Sequence, residues 1–182
     1  VVAHRLPFSV AAKAGIITNY KVVISIVTSE EVTAEALRRG VVLVKGDKVK
    51  ARQVANQIAL HAAIARYGVR KIFTFHGRVA SAESFVSSGP EGIATHIADF
   101  HCDHISGAMP TGQRERRMRE FEGKPRAVMS NARCLTEGVD VPAVDMVAFL
   151  SPRRSLVDIV QATGRAMRKA DGKTFGYVFV PI

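Results

Sequence analysis

The sequence predicts an α/β fold whose sheet is mainly parallel and covered by helices. Three observations carry this. Apolar or β-branched runs of strand length recur at Tyr20 to Val27, Lys71 to Phe75, Asp103 to Ser106, Arg126 to Ser130, Val144 to Leu150 and Phe175 to Val180. Helix-length stretches separate most of them, and strands that alternate with helices pair in parallel through crossover units. The first run is apolar at nearly every position, the pattern of a strand covered on both faces.

The elements follow in order. Ala11 to Thr18 reads as a helix ending near Gly15, before the strand at 20–27. Thr28 to Lys50 is charged and irregular and reads as a linker, although Val41 to Val44 could pair as a strand. Ala51 to Tyr67 has helical periodicity through Val54, Ile58 and Ile64, and Gly68 ends it. After the strand at 103–106 a helix begins at Thr111 or Gly112, behind Pro110, with Met118 and Phe121 as its apolar edge. A last helix occupies about 155–168, where Ser155 and Asp158 have capping-box spacing just after Pro152. The 182 residues fit one domain with a modest appendage, and no repeat is visible.

Lysine and arginine number 26 against 16 acidic residues, a net charge of +10. That balance suits a polyanionic partner and governs association rate and salt sensitivity rather than fold. No apolar run approaches the roughly 18 residues of a membrane span, and no secretion signal is visible. Cys102 and Cys134 are therefore expected to be reduced thiols of a cytoplasmic protein without membrane partners. His96, His101, Cys102, Asp103 and His104 cluster, but without the second ligand pair that zinc sites carry, and no metal is expected there. A hydrolase reading finds no G-x-S-x-G elbow.

The last helix concentrates the chemistry. At about 100° per residue, Asp158, Gln161, Arg165 and Arg168 share one arc. Leu156, Ile159, Val160, Thr163, Ala166 and Met167 share the opposite one. Two arginines three apart present planar forks that match phosphate oxygens, and Gly164 beside them lets another surface approach closely. This Q-x-x-G-R-x-x-R pattern resembles motif VI of superfamily-2 helicases, whose arginines act as fingers on the γ-phosphate of ATP held by another domain.

Other segments resemble the same family in the same order. Asn131 to Pro142 resembles motif V, which implies ribose contact from Asp140 on a turn made by Gly138. Relatives carry a threonine where this chain has Ala132, which leaves the strand contact to Ser130, Asn131 or Arg133. Gly107, Arg114 and Phe121 resemble the G-x(6)-R-x(6)-F segment, and Lys71 to Arg78 resembles motif IV. Nucleic-acid contacts are thus implied for Arg78, Gly107, Arg114, Asn131 and Arg133, with the cluster Arg114, Arg116, Arg117 and Arg119 as a further phosphate-facing candidate. Residues 11–24 resemble the segment that closes the first motor domain of the superfamily.

G-x-x-x-x-G-K-[ST] and Asp-Glu are both missing from these residues, so neither phosphate-cradling motif of an ATPase is present. The resemblance therefore implies a C-terminal RecA-like, three-layer α/β/α domain at 45–182, preceded by the tail of a first RecA-like domain and a linker at 1–44. It implies ATP and Mg2+ held mainly by that first domain of the parent chain, Arg165 and Arg168 as catalytic fingers, and Gln161, Gly138 and Asp140 as nucleotide contacts. The expected partner is DNA, with RNA possible. The expected function is a DNA helicase or translocase motor. The alternatives are a restriction-enzyme-type translocase that does not unwind, towards which the Thr-Glu-Gly-Val-Asp-Val-Pro wording leans, and a nucleic-acid-binding module without ATPase activity.

Overall fold

The computed structural model describes residues 6–41, 43, 48–90, 92–132, 144–151 and 156–182. In chain order they form α1 (Phe8–Lys13), β1 (Asn19–Ser25), α2 (Ser29–Arg39), α3 (Lys48–Tyr67), β2 (Lys71–His76) and α4 (Val79–Phe85). A 3₁₀ turn (Ala94–His96) precedes β3 (His101–Ser106), α5 (Thr111–Gly123), β4 (Ala127–Ala132), β5 (Met146–Phe149), α6 (Leu156–Ala166) and β6 (Phe175–Pro181). The strands form one sheet in the order β1-β6-β5-β2-β4-β3, with every pairing parallel.

Period-two alternation divides the core between the two faces. Phe73, Phe75, Met129, Val147 and Val178 meet Met118 and Phe121 of α5, Ala162 and Ala166 of α6, and Met167 just beyond it. Ile72, Val128, Met146, Ala148 and Phe179 lie with Leu60 and Ile64 of α3 and Phe85 of α4. Helices on both faces of a parallel sheet make the three-layer α/β/α architecture that the sequence predicts.

The first fifty residues depart from the sequence reading. Ser29–Arg39 form a helix, α2, rather than an irregular linker. Glu31 N donates to Thr28 Oγ1 at 3.2 Å and Thr28 N donates to Glu31 Oε2 at 2.7 Å, a complete capping box. Val32 and Ala36, one turn apart, bury against Val54 of α3, and Gly40 closes the helix at φ 70°. Val41 and Leu43 carry no strand, while Val42 and Val44 lie outside the described residues.

β1 pairs with β6 from Asn19 opposite Phe175 to Ser25 opposite Pro181. The sheet thus joins residues 19–25 to the elements of 45–182, and the expected boundary at residue 44 does not divide it. Nor is β1 buried as expected, since Ile24 is 64% exposed. β1 is an edge strand, and α1 covers only its start, where the Phe8 and Tyr20 rings meet edge-on. A β-branched run signals a strand but does not say which place in a sheet it takes.

Candidate nucleotide and nucleic-acid site

Because all six strands are parallel, their C-terminal ends share one edge, the edge where open parallel sheets bind ligands. Residues 77–78 follow β2 there, Gly107 follows β3, and Leu150 and Ser151 follow β5.

The motif VI helix leads away from this edge. Ala162, Thr163, Ala166 and Met167 are buried and Ile159 packs against the core, whereas Gln161 is exposed and Arg165 half-buried. Two expectations need correction. Val160 is 43% exposed rather than on the packing face, and Ala162 takes its place. The α-helix also ends at Ala166, short of Arg168. Met167 N donates to Gly164 O at 3.2 Å and Arg168 N to Arg165 O at 3.3 Å, so the chain tightens into i→i−3 turns. Residues three apart nearly eclipse in such turns, which keeps Arg168 on the side of Arg165. The side chains of Leu156 and Asp158, together with Pro152 and Ser155, lie outside what is described.

The end of α6 is held by groups that the sequence reading did not single out. Lys173 Nζ donates to Ala166 O and Val144 O, both at 2.6 Å, and to Arg168 O at 3.1 Å. A cation at the C-terminus of a helix satisfies its orphan carbonyls and complements its dipole. Burial pushes the Lys173 ammonium down to about 8, against the opposing charge of Asp145. Gly176 of β6 lies against the same carbonyl, and a Cβ there would stand 2.0 Å from Ala166 O. A lysine shortly after a helix is a readable capping signal, whereas the close approach at Gly176 has no local signature.

The expected nucleic-acid contacts divide. Arg78 is exposed at the start of α4 and Gly107 is exposed in the turn after β3. Arg114 is half-buried on α5, its Nη2 donating to Thr111 Oγ1 at 3.2 Å. Asn131 is 1% exposed within β4, between β2 and β3, and in this structure has no surface to offer a strand. Ser130 Oγ is buried without a hydrogen-bond partner among the described residues. Arg133, Gly138 and Asp140 lie outside the described residues.

The arginine cluster of α5 is also not uniformly solvated. Arg117 folds back, its Nη1 donating to Asp103 Oδ1 and His104 O at 2.7 Å each, which ties α5 to β3. Of the cluster His96, His101, Cys102, Asp103 and His104, where no metal is expected, only His101 and Asp103 converge, and they are joined by Glu120 of α5, with ligand atoms within 4.8 Å. Arg117 already supplies the positive charge beside Asp103.

The model of the helicase conserved C-terminal domain family matches residues 52–170. A probable helicase of African swine fever virus is 36% identical over 59 residues, 32% of this chain and 7% of that protein. A 51.5 kDa protein of a Lactococcus phage is 27% identical over 105 residues, 58% of this chain and 22% of that one. Among solved structures, the ATP-dependent Type ISP restriction-modification enzyme LlaBIII bound to DNA superposes on 98% of this chain and 13% of its own, with TM-score 0.78 and 28% identity. The C-terminal domain of the DEAD-box protein Dbp5 shares the fold, with TM-score 0.55 and 12% identity over 92% of this chain and 78% of that one. The chain thus spans a small part of its longer relatives. It belongs to the helicase conserved C-terminal domain family and is a RecA-like C-terminal domain of superfamily 2.

Proposed function

We propose that the chain is the C-terminal motor domain of an ATP-dependent superfamily-2 DNA translocase of restriction-enzyme type. The observation that carries this is the division of α6. One side is buried in the core while Gln161 stands exposed, Arg165 is partly so, and a Cβ at Gly164 would meet nothing within 4 Å. That open strip suits a second surface closing over it. The superposition of 98% of the chain on a DNA-bound restriction enzyme supports DNA as the polymer and this enzyme type as the setting.

In the proposed reaction water attacks the γ-phosphorus of ATP, and the bond to the β–γ bridging oxygen breaks to give ADP and phosphate. Such catalysis is mainly positioning and charge neutralisation. ATP and magnesium lie mainly on the preceding RecA-like domain of the parent chain. Arg165 and Arg168 close on the γ-phosphate, Gln161 reports its presence, and Gly138 with Asp140 takes the ribose. Arg78, Gly107 and Arg114 face the strand, whose phosphates the +10 charge attracts. The setting is the cytoplasm.

The test uses the full-length parent. Arg165→Ala or Arg168→Ala should lower turnover by about 10³ or more with little change in nucleotide affinity, because a finger acts on charge that develops in the transition state. Arg165→Lys should restore little, since an ammonium lacks the planar fork. Lys169→Ala is the control and should be nearly silent. If all of these variants behave alike, α6 is only a charged surface and the motor reading fails. Triplex displacement without strand displacement would identify translocation without unwinding.

A further inference from the structure

A cleft of about 460 Å³ opens at the C-terminal edge of the sheet, between the first two turns of α3 and the β2–α4 junction. Arg52, Asn56, His76, Arg78, Ser81 and Ser151 are among the residues lining it, and among the described residues no carboxylate does. Its size falls within the range of small-ligand sites. Its polar lining is cationic and hydrogen-bonding.

The walls are fixed by contacts behind them. Asn56, 7% exposed, donates from Nδ2 to Leu150 O at 3.0 Å and so pins the end of β5 to α3. Gln53 Nε2 donates to Ser84 Oγ at 2.9 Å and ties α3 to α4. His76, 4% exposed, has Nε2 3.1 Å from Thr74 Oγ1, and its ring lies 5.0 Å from that of Phe85. Arg52 and Arg78 are exposed at the mouth, one from each wall. Guanidinium forks on two separate elements suit a phosphodiester, whose two unbridged oxygens diverge and can each take one fork.

We propose that this cleft holds one backbone phosphate of a single nucleic-acid strand, gripped by Arg52 together with Arg78. The inference rests on the nucleic-acid reading above and adds α3, which that reading does not use. The occupied cleft would abut Leu150 and Ser151, which lead into the arginine-bearing helix, so strand contact and nucleotide contact would meet in one connecting segment.

The experiment measures binding of a fluorescein-labelled oligothymidylate to this chain by anisotropy, between about 50 and 200 mM NaCl, with folding checked by circular dichroism. Arg52→Ala should weaken binding several-fold at low salt and reduce the slope of log affinity against log salt by about 0.7, the value of one lost phosphate contact on a single strand. Arg52→Lys should keep the slope, and Arg66→Ala, at the far end of α3, should change neither quantity. If Arg114→Ala reduces the slope and Arg52→Ala does not, the cleft is refuted while the nucleic-acid reading stands. If the unaltered chain binds no oligonucleotide at all, both fail. Inorganic phosphate is the second probe, titrated at constant ionic strength and followed by NMR. Shifts around Arg52 and Arg78 with phosphate but not with oligothymidylate would assign the cleft to a free oxyanion and overturn the strand assignment.

Discussion

Gly176→Ala tests how tightly α6 is seated on the sheet. The new Cβ would stand 2.0 Å from Ala166 O and 2.7 Å from Ala166 C, where ordinary contacts begin at 3.4 Å. Relief requires the end of α6 to lift by about 1.4 Å, because both obstructing atoms are backbone and neither can rotate aside. Such a lift stretches the 2.6 Å bond from Lys173 Nζ to Ala166 O beyond hydrogen-bonding range and strains the 3.0 Å bond from Thr18 N to Met167 O. Overpacking costs about 1–3 kcal/mol and loss of a hydrogen bond from a charged donor about 1.5–3 kcal/mol. The expected destabilisation is therefore roughly 3–5 kcal/mol, a large part of a domain's total stability. Urea unfolding followed by circular dichroism measures it. Gly164→Ala is the matched comparison, since its Cβ meets nothing within 4 Å and alanine favours a helix interior by about 0.5–1 kcal/mol. A loss below about 1 kcal/mol at Gly176, or equal effects at the two glycines, would refute the seating argument.

Further outcomes are expected. The isolated chain should show no nucleic-acid-stimulated ATPase, and turnover that survives repurification but disappears in Arg165→Ala would contradict the proposed reading of it as half of a motor. Burial, with Asp103 adding to it, pushes the Cys102 thiol up to about 12, so in a Cys134→Ser background iodoacetamide should modify it slowly in the native protein and rapidly in urea. His96 is held below its ordinary value of 6.5, first by burial and then by Arg39, with Glu35 opposing. The unfolded chain then binds the proton more readily, so stability should be complete above pH 6.5 and fall as pH drops towards the folded value. Urea titrations on either side of pH 6.5 should show that slope lessened in His96→Gln.

The strands and their parallel pairing were legible because apolar runs of strand length alternate with helical stretches, and β2 and β6 appear within a residue of the expected bounds. The seating of α6 was legible because a helix with one apolar arc buries that arc against the sheet, as Ala162, Thr163, Ala166 and Met167 do. The misreadings have particular causes. Charge hid α2, although Thr28 and Glu31 spell a capping box and Val32 and Ala36 mark an apolar stripe. Asn131 looked available because the loop motif begins beside it, but β4 continues through Ala132 and encloses it. Arg117 looked free to face phosphate because a sequence does not show that Asp103 lies across from it. Arg52 went unnoticed because its partner wall is built from residues 76–81, brought to α3 only by the fold.

The pairing of β1 with β6 also sets a schedule for folding. Asn19 must wait for Phe175, 156 residues later, before its strand has a neighbour. At roughly 5–20 residues per second of synthesis, that wait is on the order of ten to thirty seconds. During it a stretch containing Val22, Val23 and Ile24 has no ladder to join, while β2 to β5 can already associate. The final strand then closes the longest loop of the sheet. The first of these six strands is thus the last to be secured, and a ribosome that stalls before residue 175 leaves β1 outside the sheet and the edge of β5 open.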